Sequence, residues 1–110
     1  MPKEATKIQQ GAVVDYTATA TIANGDVVPL ADSIGIALDD AVSGDVISLE
    51  LEGVFEITAT TLDAIAFGDV LYFDTTARTV TTTATANTLA GHAMSTKAGA
   101  TSGSVYVKIG

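Results

Sequence analysis

Few side chains in this sequence could do chemistry, and their spacing decides what that chemistry would be. Glu50, Glu52 and Glu56 share one phase of a stretch of alternating polarity, Gly44 to Ile57. Two carboxylates on one strand face could act as general acid and base on a glycosidic bond. Such pairs sit in grooves whose aromatic rings stack on sugars, and this chain has no tryptophan. A solvated strand face is the better reading of the three acids. His92 is the only histidine. No nucleophile or orienting acid is signalled beside it, as a triad requires. Asp39, Asp40 and Asp45 could offer oxygens to calcium, but the calcium-loop pattern of alternating acids, central glycine and closing glutamate is missing. Turn aspartates more simply bond their own backbone, and Asp74 reads the same way. The sequence therefore implies no catalytic residue, no metal site and no cofactor.

Charge removes further classes. Thirteen acidic residues against five basic give −8, a balance that repels nucleic acid and anionic membranes. Glycine patterns that cradle phosphate are absent. No apolar run approaches the roughly 18 residues of a membrane helix. Met1 to Gln10 is polar and has no signal-peptide core, so a soluble protein not exported by an N-terminal signal is expected. The lack of cysteine excludes a disulfide framework and fits synthesis in a reducing cytoplasm.

The elements that must position these residues are strands. In Gly44 to Ile57 the odd positions Ile47, Leu49, Leu51, Phe55 and Ile57 are apolar, a period of two. A hairpin turning at Glu52-Gly53 would aim Glu56 at the core. Keeping the phase through Gly53 avoids that cost, so one long strand is expected, bent at Gly53 where it passes between two sheets. Val13 to Ile22 alternates similarly, and Asn24-Gly25 then gives a turn, the strongest short hairpin signal in the chain. Ile34, Ile36 and Leu38 predict a short strand. Thr60 and Thr61 precede Leu62, Ile65 and Ala66 at helical spacing, which predicts one or two helical turns stopped by Gly68. Val70 to Phe73 reads as a strand buried on both sides, Arg78 to Thr85 as a threonine-rich strand, and Leu89 to Ser95 as another. Val105, Val107 and Ile109 alternate in the last strand.

Gly-Asp-Val opens strands at Gly25, Gly44 and Gly68, with Gly103-Ser104-Val105 a degenerate fourth copy, and Gly35 to Leu51 echoes Gly91 to Ile109. The echo reads either as a duplicated unit or as glycine turning and aspartate bonding its own turn backbone, and the second is preferred because turn chemistry alone explains it. These openings also resemble lipoyl- and biotinyl-carrier domains, but Met94-Ser95-Thr96-Lys97 lacks their flanked lysine. At 110 residues with 47% hydrophobic content, one all-β domain over 11–110 is expected, a compact sandwich or barrel of eight or nine short strands with one short helix. Residues 1–10 read as a flexible N-terminal arm.

Several stretches, in order, resemble the capsid cement or head decoration proteins of tailed bacteriophages. They are Gly25-Asp26-Val27-Val28, Ile34-Gly35-Ile36-Ala37-Leu38, Leu51-Glu52-Gly53-Val54-Phe55-Glu56, Gly68-Asp69-Val70-Leu71-Tyr72-Phe73-Asp74, Thr81-Thr82-Thr83-Ala84, Gly91-His92-Ala93 and Val105-Tyr106-Val107. The resemblance covers the chain from about residue 10 onward, with Phe73 where relatives often carry tryptophan. It implies a non-enzymatic structural protein, made in the bacterial host cytoplasm, that binds the outer surface of the expanded capsid and stabilises it against internal DNA pressure. Its partner would be the major capsid protein, and it would form a homo-oligomer, a trimer ahead of a dimer. The arm, with Lys3, Lys7, Ile8, Gln9 and Gln10, is expected to bind the capsid as an added strand. A non-catalytic surface- or carbohydrate-binding adhesion module is the alternative reading of the same β architecture.

Overall fold

The computed structural model describes residues 12–110. They form nine strands: β1 Val13–Thr17, β2 Val27–Pro29, β3 Ile34–Ala37, β4 Val46–Glu50, β5 Gly53–Ala59, β6 Val70–Asp74, β7 Thr79–Thr81, β8 Thr88–Ala93 and β9 Gly103–Ile109. A four-stranded antiparallel sheet has the order β1-β4-β3-β2, and β5-β7-β6-β8-β9 close into a barrel. The all-β expectation and the strand number hold.

The chain does pass from sheet to barrel at Gly53, but as two strands and not the one long strand expected, because Leu51 and Glu52 belong to neither β4 nor β5. β4 pairs with β1 and β3, whereas β5 pairs with β9, so no hairpin forms at Glu52-Gly53. Gly53 has φ +130, open to glycine and strained for other residues. Ile47, Leu49 and Ile57 are buried while Glu52 and Glu56 are exposed, so the phase runs unbroken from sheet to barrel.

The short helix expected between Thr60 and Gly68 is not formed. The Ile65 N–H donates to Lys97 O at 2.8 Å and the Lys97 N–H returns to Ile65 O at 3.0 Å, so these backbone groups serve a long-range bridge. Of the apolar residues whose spacing suggested a helix, only Ile65 is buried, and Leu62 is 82% exposed. Some strand limits also differ. β1 ends at Thr17 with Ile22 in an isolated bridge, and β7 keeps only three residues of the expected Arg78 to Thr85. β6 alternates instead of being buried on both faces, with Leu71 and Phe73 inward and Val70 outward.

Sheet and barrel are built on one plan. Read without β7, the barrel order β5-β9-β8-β6 repeats β1-β4-β3-β2. The registers repeat as well. Val14 faces Leu49 as Phe55 faces Val107, and Val28 faces Gly35 as Leu71 faces Gly91. Ala37 faces Leu49 as Ala93 faces Val107, and the bridge Ile22↔Ala41 corresponds to Ile65↔Lys97. The Gly-Asp turns are alike in detail. Asp26, Asp45 and Asp69 each accept, through Oδ2, the N–H three residues earlier (3.0, 3.0 and 2.8 Å). Gly25, Gly44 and Gly68 adopt φ +91, +97 and +90. Each glycine N–H donates to a buried alanine, Ala37, Ala18 or Ala93. Positive φ at the third turn position alone marks type II turns, so Asn24-Gly25 does not make a two-residue hairpin. Turn chemistry accounts for the glycines, as expected, but turn chemistry cannot produce a repeated strand register.

Two apolar clusters follow from this plan. The barrel cluster contains Ile57, Leu71, Phe73, Val80, Val105, Val107 and Ile109, and β3 contributes Ile34 and Ile36 to it. The sheet's own cluster contains Ala18, Val28, Ala37, Ala41, Ile47 and Leu49. β3 is buried on both faces because it serves both.

Candidate docking surface

The difference between the halves is β7. In the barrel, β7 pairs antiparallel with β6 and meets β5 at one parallel bridge, Ala59↔Val80, reinforced by Thr60 N–H to Val80 O at 2.9 Å. Val80 is fully buried and fills the wall. The sheet has no such strand among the described residues, so β1 and β2 stand apart. Between them lies a slot of about 340 Å³, lined by Tyr16, Ile22, Val27, Val28, Pro29 and Arg78 among others. Val14, Tyr16, Ile22, Leu30 and Leu51 pack against the sheet's cluster and stay only partly buried.

The two lips of the slot differ. On β2, Val27 O accepts a hydrogen bond from Arg78 Nη2 at 2.8 Å, and Pro29 has no N–H, so this edge is closed to a further strand. On β1, Ala12 O accepts from Leu51 N–H at 2.7 Å, and Ala18 N–H donates to Asp45 O at 2.8 Å. Antiparallel alternation then turns the N–H and C=O groups of Val13, Asp15 and Thr17 away from β4, toward the slot. That edge can take a strand.

Arg78 is placed by the β6–β7 turn. Asp74 Oδ1 accepts the N–H groups of Thr76 and Ala77 at 2.9 and 3.0 Å, and Arg78 N–H donates to Asp74 O at 2.8 Å. Arg78 adopts φ 60, and its guanidinium lies 5.0 Å from the Phe73 ring centre while it holds Val27 O. It joins barrel to sheet. Sequence reasoning did not find this role, because its partners lie far away in the chain.

Asp63 was also missed. Its Oδ2 accepts from Thr81 Oγ1 at 2.6 Å, Thr82 N–H at 2.9 Å and Thr82 Oγ1 at 3.1 Å. The Thr81 hydroxyl, then the Thr82 N–H, hold its carboxyl below the usual carboxylate range against a smaller opposing effect of desolvation. The group ties the segment after β5 to the end of β7.

The residues singled out in the sequence do not converge on a reaction. Glu50 lies on β4 and Glu56 on β5, so the acids divide between sheet and barrel. Glu56 Oε2 accepts from Ser104 Oγ at 2.9 Å. Asp40 Oδ1 accepts Asn24 N–H at 2.7 Å, and Asp45 caps its own turn. Among the described residues no group of three or more His, Asp or Glu side chains is arranged to hold a metal. His92 is exposed on β8 between Val70 and Lys108. Lys3, Lys7, Ile8, Gln9 and Gln10 lie outside the described residues.

The barrel end offers another apolar surface. Leu62 is 82% and Phe67 67% exposed. Phe67 occupies the tip position of a type II turn where the related turns carry Asn24 and Ser43.

Comparison with known proteins agrees with a structural reading of these surfaces. A family model described as phage cement protein matches residues 8–109. Neither the comparison with curated proteins nor that with solved structures returned a match.

Proposed function

The chain belongs to the phage cement protein family, and on that premise we propose that it binds the outer surface of the expanded capsid and stabilises the shell against internal DNA pressure. Its role is structural and capsid-associated, and in this reading it is not an enzyme. The family match over nearly the whole chain carries the proposal. The two-part β scaffold is consistent with it, since a rigid body with an open strand edge suits repeated attachment to a lattice. Many modest contacts on such a lattice add to firm binding.

The partner is the major capsid protein, the working form is a homo-oligomer with a trimer ahead of a dimer, and the site of action is the outside of the virion after synthesis in the host cytoplasm. The chain divides into an arm, 1–10, and a β domain, 11–110. Within the arm, Lys3, Lys7, Ile8, Gln9 and Gln10 make capsid contacts.

Co-sedimentation with expanded capsids and with unexpanded procapsids tests this. Saturation at a fixed copy number per capsid subunit, on expanded shells alone, is expected. No binding to expanded shells removes the proposal. Unchanged affinity after deletion of residues 1–10 removes the arm from it.

A further inference from the structure

Leu62 and Phe67 are the most exposed large apolar side chains of the described residues, at 82% and 67%. The segment that carries them is tied down. Between them Ile65 is buried and exchanges two backbone hydrogen bonds with Lys97, and Gly68 N–H donates to Ala93 O at 2.7 Å. Asp69 Oδ2 accepts Ala66 N–H at 2.8 Å, which fixes a carboxylate in the same turn as Phe67. The two related turns carry polar Asn24 and Ser43 at the position of Phe67, so the turn itself does not require an aromatic residue. A preordered aromatic side chain held out in water is the usual anchor of a protein contact.

A socket lies farther along the barrel, where β8 and β9 meet the β2–β3 turn. It is a cavity of about 340 Å³, room for one aromatic ring. Leu89, Ala90 and Gly91 give it an apolar lining, His92 and Lys108 line it from β8 and β9, and Asp32 and Ser33 from the turn. His92 and Lys108 stand directly opposite each other in the β8–β9 register, both exposed, so their side chains adjoin.

Charge and reach decide the occupant. Of the other bases in the described residues, Arg78 donates to Val27 O, and Lys97 to Ala98 O and Thr101 O. Lys108, with His92 beside it, therefore offers an exposed cationic spot on a chain of net charge −8, and an acidic turn meets complementary charge there. A chain's own turn does not reach. It is fastened at Ala93, and Leu89 lies four residues back along β8, about 13 Å away.

We propose that Phe67 of one copy enters the cavity lined by Leu89, His92 and Lys108 of a second copy, with Asp69 of the entering turn beside Lys108. Turn and cavity are different patches and each copy carries both. Two such contacts in an antiparallel pair, or three in a ring, leave neither unfilled. The proposal rests on the homo-oligomer of the function proposed above and names the surfaces that form it.

The test needs no capsid, so its result is separate from that of shell binding. Sedimentation of the full chain should give a mass two or three times 11.1 kDa. Phe67→Asn substitutes the residue type found in the related Asn24 turn, so its circular dichroism should match the parent. It should weaken association by about tenfold or more, the effect of losing one buried aromatic side chain. Lys108→Glu should weaken association severalfold by setting like charges together. The chain has no cysteine, so Phe67→Cys mixed with Leu89→Cys should give a covalent dimer on oxidation, well above the yield of either variant alone. A single-chain mass for the parent, a Phe67→Asn variant that associates as tightly, or no cross-link above that of the separate variants overturns the proposal. So does a Phe67→Asn variant that keeps its oligomer and loses capsid binding, which would assign the turn to the shell.

Discussion

Gly91→Ala and Gly35→Ala should differ sharply although the two glycines hold equivalent places. Gly91 faces Leu71 on β6, and Gly35 faces Val28 on β2. An added Cβ at Gly91 would overlap the Lys108 carbonyl oxygen and lie 3.0 Å from its carbon and 3.4 Å from Ile109 Cα. All three are backbone atoms of β9, so relief requires β8 and β9 to separate. That would undo the pairs His92↔Lys108 and Ala93↔Val107. At Gly35 the nearest atoms are Leu49 Cδ1 at 3.1 Å, and Leu49 Cβ and Leu51 Cδ2 at 3.3 Å, mostly side-chain ends that can rotate. Neither glycine has a positive φ, so the contrast is steric alone.

Overpacking that side chains can absorb lies at the low end of a range of about 1–3 kcal/mol, partly offset by the lower entropy of the unfolded chain with alanine. Overpacking against backbone belongs to the rare severe class, about 3 kcal/mol or more. For a chain of this size that lowers the melting temperature by roughly 10–15 °C. Urea unfolding of both variants measures the difference. Gly35→Ala should keep its midpoint near the parent's with an unchanged slope, and Gly91→Ala should lose several tenths of the transition range or fail to fold. A Gly91→Ala protein within about 1 kcal/mol of the parent would refute the assigned β8–β9 packing.

Three further outcomes follow from the same geometry. Asp63 has a lowered pKa in the folded chain, so its contribution is present above the ordinary carboxylate value of 3.8 and is lost as pH falls through the folded value. Unfolding curves of the parent and Asp63→Asn should therefore differ at pH 7 by about 1 kcal/mol at most, since solvent screens so exposed a group, and the difference should shrink as pH falls below 3.8; a constant gap would refute the assignment. Arg78 combines a strained φ of 60 with its bond to Val27 O. Arg78→Ala removes the contact and keeps the strain, so thermal melts should show it less stable than Arg78→Gly by about 1 kcal/mol. Gly25, Gly44 and Gly68 share positive φ with open space around a would-be Cβ, so alanine at each should cost a similar amount, about 1 kcal/mol, in denaturant titrations. A threefold spread would mean that the three turns are not equivalent.

The strands and the bend at Gly53 were legible because alternation is a local signal and an inward Glu56 is costly. The Gly-Asp turns were legible for the same reason: an aspartate bonding three residues back needs no knowledge of the fold. The false helix at Thr60–Gly68 shows where local signals fail. Leu62, Ile65 and Ala66 have helical spacing, but Asp63 and Ile65 are held by Thr81, Thr82 and Lys97, partners 18 or more residues away. The slot was not legible either. No residue in β1 announces that the strand filling the equivalent place in the barrel is missing beside it. The hint available was the echo between Gly35–Leu51 and Gly91–Ile109, whose significance lies in register and not in glycine chemistry.

The two halves share a register but differ in how completely they bury their apolar interior, and this separates stability from association. In the barrel, Val80, Leu71, Val107 and Phe73 are at or near zero exposure, so nothing added from outside would bury more of them. In the sheet, Tyr16 and Ile22 remain partly exposed at the slot, and covering them would release free energy at roughly 25 cal/mol for each square ångström removed from water. This partly buried apolar surface lies beside the β1 edge, whose outward backbone groups have no strand partner among the described residues. The closed half holds the fold while the open half remains able to bind. The presence of β7 in one half and not among the described residues of the other makes that difference.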